Sequence, residues 1–250
     1  MHRYFIEVTY KGAGFAGFQV QENAVTIQSE IERAMQLLFG KAFKLTGSSR
    51  TDAGVHARQN FFHFDSEETI DERRVYNLNA ILSPQIAVRS LRMVHPSAHC
   101  RFDAIARRYS YRVYQVKDPF INDIGFFYPF KLDVQSMQEA ARSVLGRHDF
   151  TTFSKRNTQV NNFVCDIVES EWSGESESLF YHVKGNRFLR GMVRGLVGTM
   201  LQVGRGKLSA KGFRSALAAK DCSKADFSVP GKGLTLIEVT YPDGYFEQFG

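Results

Sequence analysis

Apolar residues in this chain come in short runs, and three pairs of those runs follow one another with no helical segment between them. The pairs are 41–46 with 59–65, 86–94 with 107–116, and 162–172 with 178–185. Each run is short and partly alternating, the spacing of a strand with one face buried. Further strands are predicted at 3–10 and 234–241, and helices at 26–39, 71–80, 133–145, 187–203 and 209–220. Adjacent, partly amphipathic strands mixed with helices favour an α+β fold with an antiparallel sheet over a doubly wound parallel one. The first helix opens at Thr26, has Glu30 and Glu32 near its start, and sets Ile27, Ile31, Ala34, Met35 and Leu38 at helical spacing. The third opens at Asp133 and closes at Gly146. Residues 117–131, 154–162 and 221–233 read as long loops. The helix–strand pattern occurs about twice, on either side of 101–107, which divides the chain into halves at 1–103 and 104–250.

With 250 residues, 43% hydrophobic and 23% charged, the chain can bury a real core as one large or two small domains. No apolar run reaches the ~18 residues of a membrane span. The sequence enters a strand at once, without a signal-peptide core. Cys100, Cys165 and Cys222 lie far apart with no C-x-x-C spacing, so three unpaired thiols in a reducing cytoplasm are expected. A net charge of +6 favours a polyanionic partner. The cations cluster as Arg101, Arg107, Arg108 and Arg112, and as Lys184, Arg187, Arg190, Arg194, Arg205 and Lys207, and such groups can supply phosphate contacts.

The most informative segment is Gly47-Ser48-Ser49-Arg50-Thr51-Asp52-Ala53-Gly54-Val55-His56-Ala57, between the runs Phe43-Lys44-Leu45 and Phe61-Phe62-His63-Phe64. It reads as a loop held at both ends by sheet. A carboxylate on such a loop is a common way to place a catalytic group, and an Asx turn that caps its own loop is the plainer alternative.

Three other patterns carry less. Gly12-Ala13-Gly14-Phe15-Ala16-Gly17 spells G-x-G-x-x-G after a strand. The next helix starts near Thr26, however, too late to offer its N-terminus to a pyrophosphate, so a close-approach loop is predicted. His95 and His99, with Cys100 beside them, have a helical metal-ligand spacing. Pro96 and the preceding strand disfavour the helix, so loop histidines are predicted rather than a metal site. In 187–203, at about 100° per residue, Leu189, Met192, Val193, Leu196, Met200 and Val203 share one face. Arg187, Arg190 and Arg194 fall within roughly 60° of one another nearly opposite, beside Gly191, Gly195 and Gly198. That permits a solvated face with a tight contact over the glycines. For Arg194 it also permits a cation directed into a cleft, where it could pair with Asp52 and keep that carboxylate ionised. Tyr109 and Tyr111 share one strand face, with Arg108, Ser110 and Arg112 on the other; Tyr111 is expected in the core.

Arg50-Thr51-Asp52-Ala53-Gly54-Val55-His56-Ala57 resembles the signature of the tRNA pseudouridine synthase A family. Tyr10-Lys11-Gly12 with Gly17-Phe18-Gln19 resembles that family's opening elements, and Ala106-Arg107-Arg108-Tyr109-Ser110-Tyr111 its Ala-Arg-Arg-Tyr strand. Gly146-Arg147-His148-Asp149-Phe150-Thr151-Thr152-Phe153, Phe188-Leu189-Arg190-Gly191-Met192-Val193-Arg194 and Gly233-Leu234 match its later motifs, in family order and over nearly the whole chain. The departures are Lys11 and Phe18, where the family usually has Asp and Trp, and Ser49, where Gly is common. None is a proposed catalytic group.

The resemblance implies two similar α/β halves joined into one continuous, mainly antiparallel sheet with a central cleft. It implies an isomerase that converts uridine to pseudouridine at positions 38 to 40 of the tRNA anticodon stem-loop, acting as a homodimer bridged by one tRNA. The N1–C1′ bond breaks and C5 joins C1′. That change is redox-neutral and transfers no group, so it requires neither cofactor nor metal. By resemblance Asp52 is the nucleophile on a flipped-out uridine and Arg194 orients it. Tyr109 stacks on the base and can take its C5 proton, and Leu234 is the apolar wall. Arg50 is suited to the space the base vacates, and Arg187 and Arg190 to the RNA backbone. Two rival readings are a catalytically silent tRNA-binding or chaperone module, and a nucleoside or glycoside hydrolase with paired carboxylates. Asp52 has no acidic partner in its loop, which disfavours the hydrolase.

Overall fold

Strand-like and helical periodicities in the sequence become β1 (His2–Tyr10), α1 (Ile27–Phe39), β2 (Thr46–Gly47), β3 (His56–Ser66), α2 (Arg74–Ile81) and β4 (Ile86–Val94). There follow β5 (Ala106–Tyr114), β6 (Phe126–Phe127), α3 (Val134–Arg142), β7 (Gly146–Asp149), β8 (Val164–Glu175) and β9 (Ser178–Gly185). The chain ends with α4 (Met192–Gly204), α5 (Ala210–Ala218) and β10 (Leu234–Thr240). This computed structural model describes residues 1–156, 160–175 and 177–247. Part of the predicted loop at 154–162, residues 157–159, therefore lies outside the described residues.

The fold is α+β, with mainly antiparallel strands, and the chain forms two units: Met1–Ile105 with Leu236–Gly250, and Ala106–Thr235. In the first unit β1 lies between β3 and β4, antiparallel to both, β2 pairs with β3, and β10 follows β3 in the sheet. Helix α1 is held at its start by a capping box between Thr26 and Ser29, and buries Ile27, Ile31, Ala34 and Met35. Tyr4, Phe5 and Ile6 are consecutive and all buried, so β1 is covered on both faces. Tyr4 stacks on Phe64, whereas Phe5 meets Phe61, Tyr241, Tyr245 and Phe246.

That aromatic cluster explains why residues 236–250, expected with the second half, belong to the first unit. The C-terminal segment brings Tyr241, Tyr245 and Phe246 onto Phe5, and the side chain of Gln59 accepts from the backbone N–H of Val239 at 3.0 Å. Nothing in the local composition of a last strand tells which earlier strand it will join.

In the second unit β5, β9, β8 and β7 pair in that order, all antiparallel, and β6 adds two residues parallel to β5. Asp133 caps α3 through the backbone N–H of Ser136 at 3.1 Å, as its sequence predicts. The helix stops at Arg142, and Gly146, at φ +89°, opens β7. Tyr111, Tyr181, Val183, Met137, Leu196, Met200 and Phe213 are fully buried in this unit's core.

The strand predicted at 41–46 shrinks to Thr46–Gly47. The backbone of Leu45 bonds to side chains of α1 instead of a neighbouring strand: its N–H donates to Glu32 at 3.1 Å and its carbonyl accepts from Gln28 at 3.0 Å. All three cysteines are free, with Cys100 and Cys165 buried. Among the described residues no helix is long and apolar enough to cross a membrane.

His63 lies in the core of the first unit at 7% exposure, with Nδ1 3.2 Å from Cys100 Sγ. Burial first, then the neighbouring His99 and Arg3, lowers its pKa from 6.5 to about 4. The unfolded chain takes up this proton near pH 6.5 and the folded chain near 4. Stability should therefore fall as pH drops through that window and level off below it, by on the order of 3 kcal/mol in all. Urea unfolding at pH 7 and pH 4 should show a smaller drop in His63→Asn than in the wild type. Equal drops in both would remove His63 as the cause.

Candidate active site

Asp52 sits half-exposed on the turn that joins β2 to β3. Its backbone carbonyl accepts from Val55 N–H at 3.2 Å, with Gly54 at φ +78°, a combination that a type II turn demands of its third residue. The segment beneath the turn is closely fitted. A Cβ on Gly12 would stand 2.0 Å from the carbonyl oxygen of Val55, and one on Gly17 3.2 Å from that of Thr51. The N–H of Gly12 donates to His56 Nδ1 at 3.1 Å, and that of Phe18 to the Thr51 carbonyl at 3.1 Å. Two glycines of G-x-G-x-x-G, Gly12 and Gly17, thus let the first loop pack directly under the Asp52 turn. The helix after them starts at Ile27, as expected of a loop unsuited to a dinucleotide.

Behind the turn lies a set of buried polar side chains. The Asn60 carboxamide, 0% exposed, accepts from the N–H groups of Ser49 at 3.2 Å and Phe61 at 2.9 Å. It donates to the Ser49 carbonyl at 2.8 Å and to the Tyr10 hydroxyl at 3.1 Å. The Tyr10 hydroxyl in turn meets Thr51 Oγ1 at 2.9 Å. Asn60 belongs to none of the motifs, and Tyr10 and His56 stand in the sequence only as motif members with no role of their own. The available signal was a carboxamide interrupting an apolar strand whose neighbours Phe61, Phe62 and Phe64 are all core. Of the three departures from the family pattern, Phe18 is a core position, stacked on Phe62 at 4.4 Å and 8°. Ser49 is buried and fastened to Asn60, and Lys11 is exposed.

The second unit holds the other candidate residues. Tyr109 is half-buried on β5 and meets Phe188 edge to face at 5.1 Å. Tyr111 is core, as expected. Burial pushes its hydroxyl above the usual tyrosine range, against a smaller opposite effect of Arg194, so it remains a neutral donor to the Pro230 carbonyl at 2.8 Å. Arg194 Nε donates to the Val229 carbonyl at 2.8 Å. A Cβ on Gly195 would meet the Phe227 ring at 2.7 Å, and one on Gly233 the Tyr111 ring at 2.5 Å. Residues 227–233 are therefore pinned to α4 and β5 at several points, and this fixes the start of β10, where Leu234 is buried.

Two expectations about basic residues need correction. Helix α4 begins at Met192, because Gly191 takes a left-handed conformation at φ +72°. Arg187 and Arg190 precede the helix and do not share a helical face with Arg194. The Arg190 carbonyl accepts from Lys155 N–H at 3.0 Å; Arg187 is half-buried and Arg190 exposed. The glycines of α4 do make close contacts: Gly195 meets the Phe227 ring, Gly198 the backbone of Asp226, and Gly204 the side chain of Met137 on α3. In the first arginine cluster, alternation along β5 turns Arg107 away from Arg108 and Arg112, and all three are engaged within the fold. Arg107 donates to the Asn186 carbonyl at 3.1 Å, Arg108 pairs with Glu169 at 2.8 Å, and Arg112 lies over the Phe180 ring at 5.4 Å. His95 bonds Ser97 in a turn, and among the described residues no three His, Cys, Asp or Glu groups could hold a metal ion. Asp52 and Arg50 (exposed) lie in the first unit, and Tyr109, Arg187, Arg190, Arg194 and Leu234 in the second.

Comparison with known proteins bears on this arrangement directly. A family model described as tRNA pseudouridine synthase matches residues 140–242. A tRNA pseudouridine synthase A of Parabacteroides distasonis is 44% identical over 248 residues, covering 98% of this chain and 98% of its own length. The protein of that name from Bacteroides thetaiotaomicron is 41% identical over 252 residues, covering 99% of this chain and 94% of its own. That from Staphylococcus carnosus is 35% identical over 252 residues, with 99% and 94% covered. Likeness of this degree from end to end makes the chain a member of the tRNA pseudouridine synthase A family, and an isomerase.

Proposed function

We propose that this enzyme converts uridine to pseudouridine at positions 38 to 40 of the tRNA anticodon stem-loop, with Asp52 as nucleophile on a flipped-out uridine. The observation that carries the reading is full-length likeness to proteins named tRNA pseudouridine synthase A, together with Asp52 in the family's signature on a tightly fastened turn. The N1–C1′ bond breaks, the uracil turns, C5 bonds to C1′, the C5 proton leaves and N1 regains a proton. Stacked in a stem, the target atoms are out of reach, so the nucleotide must leave the helix. In this reading Arg50 holds the flipped backbone or fills its place, and Arg194 is the positioning cation for Asp52. Tyr109 stacks on the base and takes the C5 proton, and Leu234 packs against the ring. The chain acts in the cytoplasm as a homodimer. Incubation with unmodified tRNA should give a uridine change at positions 38 to 40 with no change in mass. Unaltered uridine at all three positions would refute the assignment.

Arg187 and Arg190 are proposed as phosphate contacts, one half-buried and one exposed on the same short segment. Affinity for tRNA should fall linearly on a log–log plot against salt, and replacing either arginine by Ala should reduce the slope by about one contact. An unchanged slope in both variants would place the arginines off the RNA.

A further inference from the structure

The polar set behind the Asp52 turn has no part in the chemistry assigned above, yet the Asn60, Tyr10 and Thr51 side chains are buried and joined to one another by hydrogen bonds. Asn60 uses its full capacity: two N–H groups donate to its oxygen, and its nitrogen donates to one carbonyl and one hydroxyl. Only one orientation of the amide fits those four partners, since reversing it would set donor against donor. Core filling alone does not need such a group, because Phe61, Phe62 and Phe64 fill the same strand with hydrocarbon.

The bonds converge on Ser49 and Thr51, in the segment that leads into Asp52. Asn60 fixes both backbone groups of Ser49, and Tyr10 carries the chain of bonds to the Thr51 side chain at 2.9 Å. Arg50 and Asp52 are thus left toward solvent on a backbone clamped from behind. We infer that Asn60, acting through Tyr10 and Thr51, is a positioning residue that sets the direction of the Asp52 carboxylate. A reacting group must be held to within a fraction of an ångström, and a misplacement of 1 Å can cost about a hundredfold in rate. Inside a protein such a network is stiff when every member is satisfied.

This inference rests on Asp52 being the nucleophile, and its test separates the two ideas. Asn60→Asp keeps the shape and removes both donations, to the Ser49 carbonyl and the Tyr10 hydroxyl. Tyr10→Phe removes only the hydroxyl. With enzyme in saturating excess over unmodified tRNA, single-turnover pseudouridine formation should fall about a hundredfold in Asn60→Asp and about tenfold in Tyr10→Phe. KM for tRNA should stay within about threefold of wild type, with unchanged circular dichroism. The double variant should be no slower than Asn60→Asp, because one chain of bonds is cut in both. Should Asn60→Asp not fold, Tyr10→Phe decides alone. Wild-type turnover in folded variants, or a loss confined to KM, would overturn the positioning role. With Asp52→Asn inactive alongside, either result would leave the nucleophile standing, whereas an active Asp52→Asn would remove both assignments.

Discussion

Asp52→Asn should abolish pseudouridine formation while fold and tRNA affinity stay close to wild type. The two side chains have nearly the same shape, and the turn that carries Asp52 is held by backbone contacts from Val55 and Phe18 and by the Ser49 and Thr51 bonds. What the change removes is nucleophilic and basic character. A loss of at least about a thousandfold, or about 4 kcal/mol on the barrier, is expected in single turnover. Affinity should hold or rise slightly, because a negative charge leaves a surface that binds a polyanion. Conversion at near-normal rate would show that the reaction does not pass through this carboxylate.

Tyr109→Phe divides two roles that one side chain has been given. The ring survives, and with it the edge-to-face contact with Phe188 at 5.1 Å, so the fold around β5 should be undisturbed. If the hydroxyl takes the C5 proton, its removal should slow turnover about a hundredfold or more, about 2.7 kcal/mol, in line with losing a general base. Affinity for tRNA should hold, and a covalent or glycosidically cleaved intermediate should build up. A loss below about tenfold would reduce Tyr109 to a stacking platform, with Asp52 untouched by the result.

Elements with a strong local signal were legible in the sequence. Thr26 and Asp133 are helix caps whose side chains bond the first turn, and the long strands keep nearly the bounds that their alternation suggests. The Asp52 turn was legible as a loop between strands because aromatic runs flank it. The failures arise where a partner distant in sequence or a single backbone conformation decides the outcome. Leu45 looks like a strand residue, but its backbone is taken by Gln28 and Glu32 of α1. Arg187, Arg190 and Arg194 fit one helical face on paper. Gly191, however, leaves the right-handed region and starts the helix after two of them. Asn60 sits in an apolar run as an apparent misfit, and its meaning is visible only once Ser49 and Tyr10 are beside it.

The return of the last strand to the first unit orders events during synthesis. β3 is paired along one edge by β1 and along part of the other by β2, and β10 completes that edge. On the ribosome the N-terminal half therefore waits for residues made after the whole of Ala106–Thr235. Until then it presents an open strand edge, the kind of surface that invites pairing with another chain. Joining that edge closes a long loop, which makes the step slow relative to local folding. A chain stopped just short of Leu236 would leave that edge of β3 covered only by the two residues of β2.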